Sequence, residues 1–333
     1  MDLSTTYLGL TLAHPFMVGA SPLGDHLDTI KRLEDGGASA VVLRSLFEEQ
    51  ITMAESGKIH HMDPLENAFA DALAGFPVPE AYAFTPDGYL EHVRRAKQSA
   101  GIPVIASLNG MTKEPWLRFA VSLQQAGADA IELNMYELAT EAADSSASVE
   151  ARIRNIVAEL KHEIRIPIAV KLLPFFTAFG HFARQLDAAR VDGIILFNRF
   201  YEPDVDIRSL KFVPRIELST SAELPLRLHW ASVIHRHVRC SIAITGGVAT
   251  PADGIKAILA GAHGVQLVSA VLRHGPGYPG VMRDGLAQWM SAHEFAALTQ
   301  VRGTIDRARD TDLAERGSYI RTLQSWTTSA ADG

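Results

Sequence analysis

Gly37-Ala38-Ser39-Ala40-Val41-Val42-Leu43 is the first copy of a phrase that this chain repeats. It returns as Gly127-Ala128-Asp129-Ala130-Ile131-Glu132-Leu133, as Val191-Asp192-Gly193-Ile194-Ile195-Leu196-Phe197 and as Gly261-Ala262-His263-Gly264-Val265-Gln266-Leu267. Each copy reads as a helix end turning into a buried strand. Glycine suits the left-handed residue after a helix, and an unbroken apolar run suits a strand covered on both faces. Polar residues stand past the runs: Arg44, Asn134, Asn198 and Ser269. A second set of strands is introduced by Ile102-Pro103 and Ile166-Pro167 or ends in Thr245-Gly246-Gly247. These lead to Asn109, Lys171 and the glycine pair. Polar groups thus collect at the carboxyl ends of parallel strands, where α/β folds bind ligands.

Working outward, strands are expected at Phe16–Ala20, Ala40–Leu43, Val104–Leu108, Ala130–Leu133, Ile168–Leu172, up to Phe197, Ser241–Ile244 and Gly264–Val268. Helical patterns separate them, such as Glu114–Gln125, with Trp116, Phe119, Ala120 and Leu123 on one face. Ser145-Ser146-Ala147-Ser148 marks the entry to another, ending near Glu163. This alternation is the pattern of an α/β (β/α)8 TIM barrel. Two insertions are expected. Glu48–Thr85 is too long for a plain connection and is read as covering the top of the barrel. Residues 200–224 alternate and suggest a β-hairpin, with Val205-Asp206-Ile207 facing Val213 to Leu218. Phe295 to Leu323 reads as a helical tail packed outside the barrel. Residues 1–326 are taken as one domain, and 327–333, small and polar, as a disordered tail.

The chain has 333 residues, 47% hydrophobic and 21% charged, which supplies a full globular core. A formal charge of −7 gives no electrostatic case for nucleic acid. No apolar run is long enough for a membrane helix, and Met1-Asp2-Leu3-Ser4 lacks a basic stretch followed by a long apolar core, so no Sec signal is expected. Cys240 is the single cysteine, so no internal disulfide forms and a cytoplasmic location is expected. It reads as core, and Trp230 as helix packing.

The firmest site lies after the seventh and eighth strands. Glycines at Gly246 and Gly247 let backbone N–H groups approach an anion, Pro251 soon starts a helix, and Ser269-Ala270 adds a hydroxyl and further amides. Barrels commonly hold a phosphate there; the plainer reading is a tight turn. A bulky residue at Gly247 is expected to fill the space of that phosphate. Lys171 follows Ile168-Ala169-Val170, so its stem is sheathed by the barrel and its ammonium needs a partner. That partner is either an anionic cofactor or a carboxylate such as Glu132 on the adjacent strand. His60-His61 and His229, His235 and His237 have no spacing that suits a closed metal site, so no metal is expected.

Over nearly its full length the chain resembles the dihydroorotate dehydrogenases, FMN-dependent (β/α)8 enzymes. The matching stretches are His14-Pro15-Phe16-Met17 through Ala20-Ser21, Arg44-Ser45, Glu132-Leu133-Asn134, Val170-Lys171-Leu172-Leu173-Pro174-Phe175-Phe176, Asn198, Thr245-Gly246-Gly247-Val248 and Gln266-Leu267-Val268-Ser269-Ala270. The resemblance implies that Ala20 and Ser21 line FMN and that Arg44 and Ser45 contact it. It implies that Lys171 approaches the pyrimidine edge of the ring and that Gly246, Gly247, Ser269 and Ala270 hold the phosphate. Asn109, Asn134 and Asn198 complete the expected cofactor set.

Elsewhere the chain departs from that family. Its loop after the fourth strand reads Asn-hydrophobic-Ser-Cys/Ser-Pro-Asn; here it is Asn134-Met135-Tyr136-Glu137-Leu138-Ala139-Thr140. Glu137 takes the place of the catalytic Cys or Ser, Tyr136 is beside it, and Ala139 replaces the second Asn. The family's Asn-rich segment after the second strand is absent, although Glu66-Asn67-Ala68-Phe69 and Ala74-Gly75-Phe76-Pro77 stand nearby. A partly buried Glu137 is a competent general base, with Tyr136 in reserve. The expectation is an FMN oxidoreductase acting on a CH–CH bond of a small polar substrate, with dihydroorotate and pyrimidine metabolism as candidates. Its electron acceptor is unidentified and a homodimer is left open. The alternative is a flavin-free phosphate-binding barrel, an isomerase or lyase using Lys171.

Overall fold

The computed structural model describes residues 1–58, 82–110, 114–199, 202–213, 215, 217–305 and 312–325. The repeated phrase forms what it promised. Strands β3 (Phe16–Val18), β4 (Val41–Phe47), β5 (Val104–Asn109), β6 (Ala130–Met135), β7 (Ile168–Leu172), β8 (Gly193–Leu196), β11 (Ser241–Thr245) and β12 (Gly264–Leu267) close into a parallel barrel. Each neighbour in sequence is a neighbour in space, and β12 returns to β3.

Strand side chains alternate, and the alternation sorts the core. Ile131 and Leu133, Ile168 and Val170, and Ile242 and Ile244 join the layer beneath the helices. Their neighbours Met17, Val42, Ile105, Ala130, Ala169, Ile195 and Ala243 join a second cluster inside the barrel. A hairpin absent from the sequence reading, β1 (Thr5–Tyr7) and β2 (Leu10–Leu12), belongs to that inner cluster through Tyr7, Leu8 and Leu12. Small residues at Ala130, Ala169, Gly193 and Ala243 leave room for these side chains entering from below: a Cβ on Gly193 would run into Leu8 Cδ2. The barrel is thus stopped at its amino end and open to ligands at the other.

The insertions are partly as expected. Helix Glu48–Lys58 follows β4, while 59–81, including His60-His61 and both Asn67 and Ala74 stretches, lie outside the described residues, as does 327–333. After β8 comes the hairpin, but its strands are β9 (Asp204–Asp206) and β10 (Lys211–Val213), so the second strand starts earlier than the alternation suggested. A helix forms in the tail as expected, at Asp312–Gln324, but its packing differs: Leu298 and Val301 ahead of it are buried, whereas Tyr319, Ile320 and Leu323 on the helix are exposed. Among the described residues no helix is long and apolar enough to cross a membrane.

Two histidines serve this frame as neutral rings. His14 Nδ1 accepts from the Phe16 N–H at 3.3 Å, and His263 Nδ1 from the Ile242 N–H at 3.1 Å. Burial, reinforced by Arg283 near His14 and Arg302 near His263, lowers both pKa values from 6.5 to about 4. Between those values the unfolded chain binds protons that the folded chain refuses. Stability is therefore complete above about pH 6.5 and falls toward pH 4, by up to about 1.4 kcal/mol per pH unit for each ring. Thermal melts across that window are expected to show the loss, and His14→Gln is expected to remove about half of it, His263 keeping the rest.

Candidate active site

Directly above the inner apolar layer the same alternation places a polar one. Two residues beyond Ile105, Ala130, Ala169, Ala243 and Gly264 stand Ser107, Glu132, Lys171, Thr245 and Gln266, all buried. Lys171 Nζ lies 3.2 Å from Glu132 Oε1, with the two side chains 7% and 1% exposed. Gln266 Nε2 donates to Glu132 Oε2 at 2.6 Å. The protein partner for Lys171 is thus the carboxylate. An ammonium has three N–H groups, so this contact uses one and leaves donor capacity for the cavity above.

That cavity, about 270 Å³, is lined by Ala20, Lys171, Asn198, Gly246, Gln266 and Ser269, among others. Asn134 joins through a 2.6 Å hydrogen bond from Asn198 Nδ2 to its Oδ1. The remaining expected cofactor residues stand back. Ser21 donates to Gly19 O at 3.0 Å. Arg44 holds Asp25 in two hydrogen bonds, 2.9 and 2.6 Å. Ser45 shares a 2.7 Å contact with Ser107, and Asn109 ends β5 beside Asn134. Ala270 is buried behind Ser269.

Gly246 and Gly247 have φ of +76° and +78°, where a side chain is strained. The expected reason for Gly247 changes, however. A Cβ there would meet the Leu224 amide nitrogen at 2.6 Å, and one on Gly246 would meet Arg227 Nη2 at 2.8 Å. The turn is moulded against helix Leu224–Ile234 rather than kept clear only for an anion. Helix Pro251–Leu259 is also closed by its own residues. Thr250 and Asp253 cap each other, and Asp253 Oδ2 accepts from Ser221 Oγ at 2.6 Å. A carboxylate stands where the sequence reading expected an anion. An anion site in this region therefore rests on Gly246 and Ser269. The Ser269 hydroxyl accepts from the Ser219 N–H at 2.9 Å, tying the two loops together.

Sequence reasoning missed Arg227. It occupies the buried face of its helix with Leu224, Ala231 and Ile234, and donates to the carbonyls of Thr245, Glu223 and Phe197. An arginine in step with apolar positions was the available signal. Gln266 was quoted without a role; counting by twos along β12 from Gly264 turns it inward.

Glu137 lies elsewhere. Arg152, on helix Ser146–Glu163, donates to its Oε1 and, at 2.9 Å, to Asp144. Glu137 Oε2 is buried with no hydrogen-bond partner among the described residues. The residue lines a second cavity of about 610 Å³ with Leu138, Thr140, Leu173, Phe175 and Phe176. Tyr136 is half-buried at the exit of β6. The two cavities open at the same end of the barrel, and Glu137 does not share the one that Lys171 lines. Among the described residues no group of three His, Cys, Asp or Glu is placed to hold a metal.

Comparison with known proteins agrees with this architecture. A profile of the dihydroorotate dehydrogenase family matches residues 2–290. The dihydroorotate dehydrogenase B (NAD(+)) catalytic subunit of Thermoplasma volcanium is 27% identical over 313 residues, 91% of this chain and 98% of its own. That of Methanocella arvoryzae is 29% identical over 271 residues, 79% and 85% of the two chains. The NAD-dependent dihydropyrimidine dehydrogenase subunit PreA of Escherichia coli is 24% identical over 322 residues, 91% and 76%. With a family profile spanning most of its length on an eight-stranded parallel barrel, this chain belongs to the dihydroorotate dehydrogenase family.

Proposed function

We propose that this protein is an FMN-dependent oxidoreductase acting on a CH–CH bond of a small polar substrate. The observation that carries the reading is the cavity at the carboxyl end of the barrel. Its lining combines Lys171 and Gln266, a glycine turn at Gly246 and the Ser269 hydroxyl. Gln266 Oε1 is buried and has no hydrogen-bond partner among the described residues, so the cavity suits a group with polar edges. FMN, when bound, supplies two-electron redox chemistry.

The protein's own residues do the rest. Lys171 holds positive charge at the ring edge, kept in place by Glu132. Asn198, braced by Asn134, lines the same space, and Ser269 and Gly246 receive the phosphate. Glu137, held by Arg152 at the exit of β6, is the candidate general base for the substrate proton. The flavin-free alternative asks Lys171 to react directly, and the contact with Glu132 weighs against that.

The relatives are named for dihydroorotate and for dihydropyrimidine, so a dihydropyrimidine-like ring is the substrate class proposed. Those named as catalytic subunits suggest a separate electron-transfer partner. The loop after β6 lacks the family's second Asn, since Ala139 stands there. A polar ring bound without that partner is under-satisfied. Dihydroorotate is therefore expected to bleach the flavin slowly or not at all in anaerobic stopped-flow mixing. Rapid bleaching would make dihydroorotate the substrate and show that the loop departures do not set specificity.

A further inference from the structure

Gln266 is 1% exposed and sits beside Lys171 in the cavity lining. Its amide orientation is dictated by Glu132. Glu132 Oε2 is an acceptor, so the atom 2.6 Å away must be the amide nitrogen; a flipped amide would press two acceptor oxygens together. Oε1 is then turned away from Glu132, and it has no partner among the described residues. It lies against the end of β3, where a Cβ on Gly19 would stand 3.3 Å from it and 3.0 Å from Val268 Cγ2. Glycine there leaves room for the amide, one residue before Ala20 of the cavity lining.

Two neighbouring residues of the cavity lining therefore differ in kind: the Lys171 ammonium only donates, and the free oxygen of the Gln266 amide only accepts. A phosphate or carboxylate would satisfy Lys171 but set its own oxygens against Gln266 Oε1. A –CO–NH– edge satisfies both at once: its carbonyl accepts from lysine and its N–H donates to the amide oxygen. Resting on the FMN reading above, we propose that Gln266 is a cofactor-recognition residue whose Oε1 accepts from the N3–H of the isoalloxazine, next to the position contacted by Lys171. The same match explains why a buried glutamine occupies an otherwise apolar strand.

The test compares FMN with 3-methyl-FMN, in which that N–H is replaced, by fluorescence titration of flavin-free protein. Wild type is expected to bind the methylated flavin at least about tenfold more weakly. In Gln266→Ala, which removes the acceptor and makes room for the methyl group, FMN weakens and the gap closes to within about threefold. A second reading needs no variant. With FMN labelled with nitrogen-15 at N3, the N–H is expected to be protected from solvent exchange in the wild-type complex. Equal affinity for the two flavins, a gap that survives in folded Gln266→Ala, or a fast-exchanging N3–H would each overturn the assignment. Folded wild-type protein that binds neither flavin would overturn the FMN reading itself and this inference with it, a different result from equal binding.

Discussion

Lys171→Ala is expected to cost about 3–5 kcal/mol of folding stability, the range for removing one partner of a buried pair. The change strands Glu132, 1% exposed, with Gln266 its one remaining side-chain partner among the described residues. Chemical denaturation measures the loss. Lys171→Met combined with Glu132→Gln is expected to recover most of it, because no charge is left uncompensated and the new amide still accepts from Gln266. A double variant as unstable as Lys171→Ala would show that the lysine stem, not the pair, holds this layer. The same two proteins separate folding from redox chemistry. Both lack a cation beside the ring edge, so both are expected to lower the midpoint potential of bound FMN. A potential that stays put or rises in the well-folded double variant contradicts the placement of Lys171.

Glu137→Gln is expected to slow reduction of the bound flavin by roughly 10²–10⁴-fold, the span of general base catalysis. FMN retention is expected to be unchanged, since Glu137 does not line the cavity that Lys171 lines. The substituted amide can still accept from Arg152, which keeps the loop in place while removing the basic oxygen. Tyr136→Phe is expected to do less. Stopped-flow reduction by the true substrate reads both, and an unchanged rate in Glu137→Gln removes that residue from the mechanism.

The barrel was legible because its strands are covered on both faces and each is announced or closed by glycine or proline. The Gly246-Gly247 turn and Lys171 were placed for the same reason, sitting at strand ends that the phrase itself locates. The β1–β2 hairpin was not, since its two-residue turn is Leu8-Gly9, with φ of 54° and 74°, and leucine at positive φ is no turn signal. The partners of the site residues were harder still. Glu137 meets Arg152 only because helix Ser146–Glu163 packs back beside the β6 exit, and Arg44 meets Asp25 across a tertiary contact. Neither distance is written in spacing. The role of Asp253 as a cap likewise depends on Ser221 arriving from another loop.

The most direct measurement of the central claim is the visible spectrum of the purified protein, before and after incubation with FMN and removal of the excess. A yellow protein carrying tightly held, non-covalent FMN, released on denaturation, is expected. A colourless protein that takes up no FMN while remaining folded would contradict it and leave the flavin-free phosphate-binding barrel as the better description.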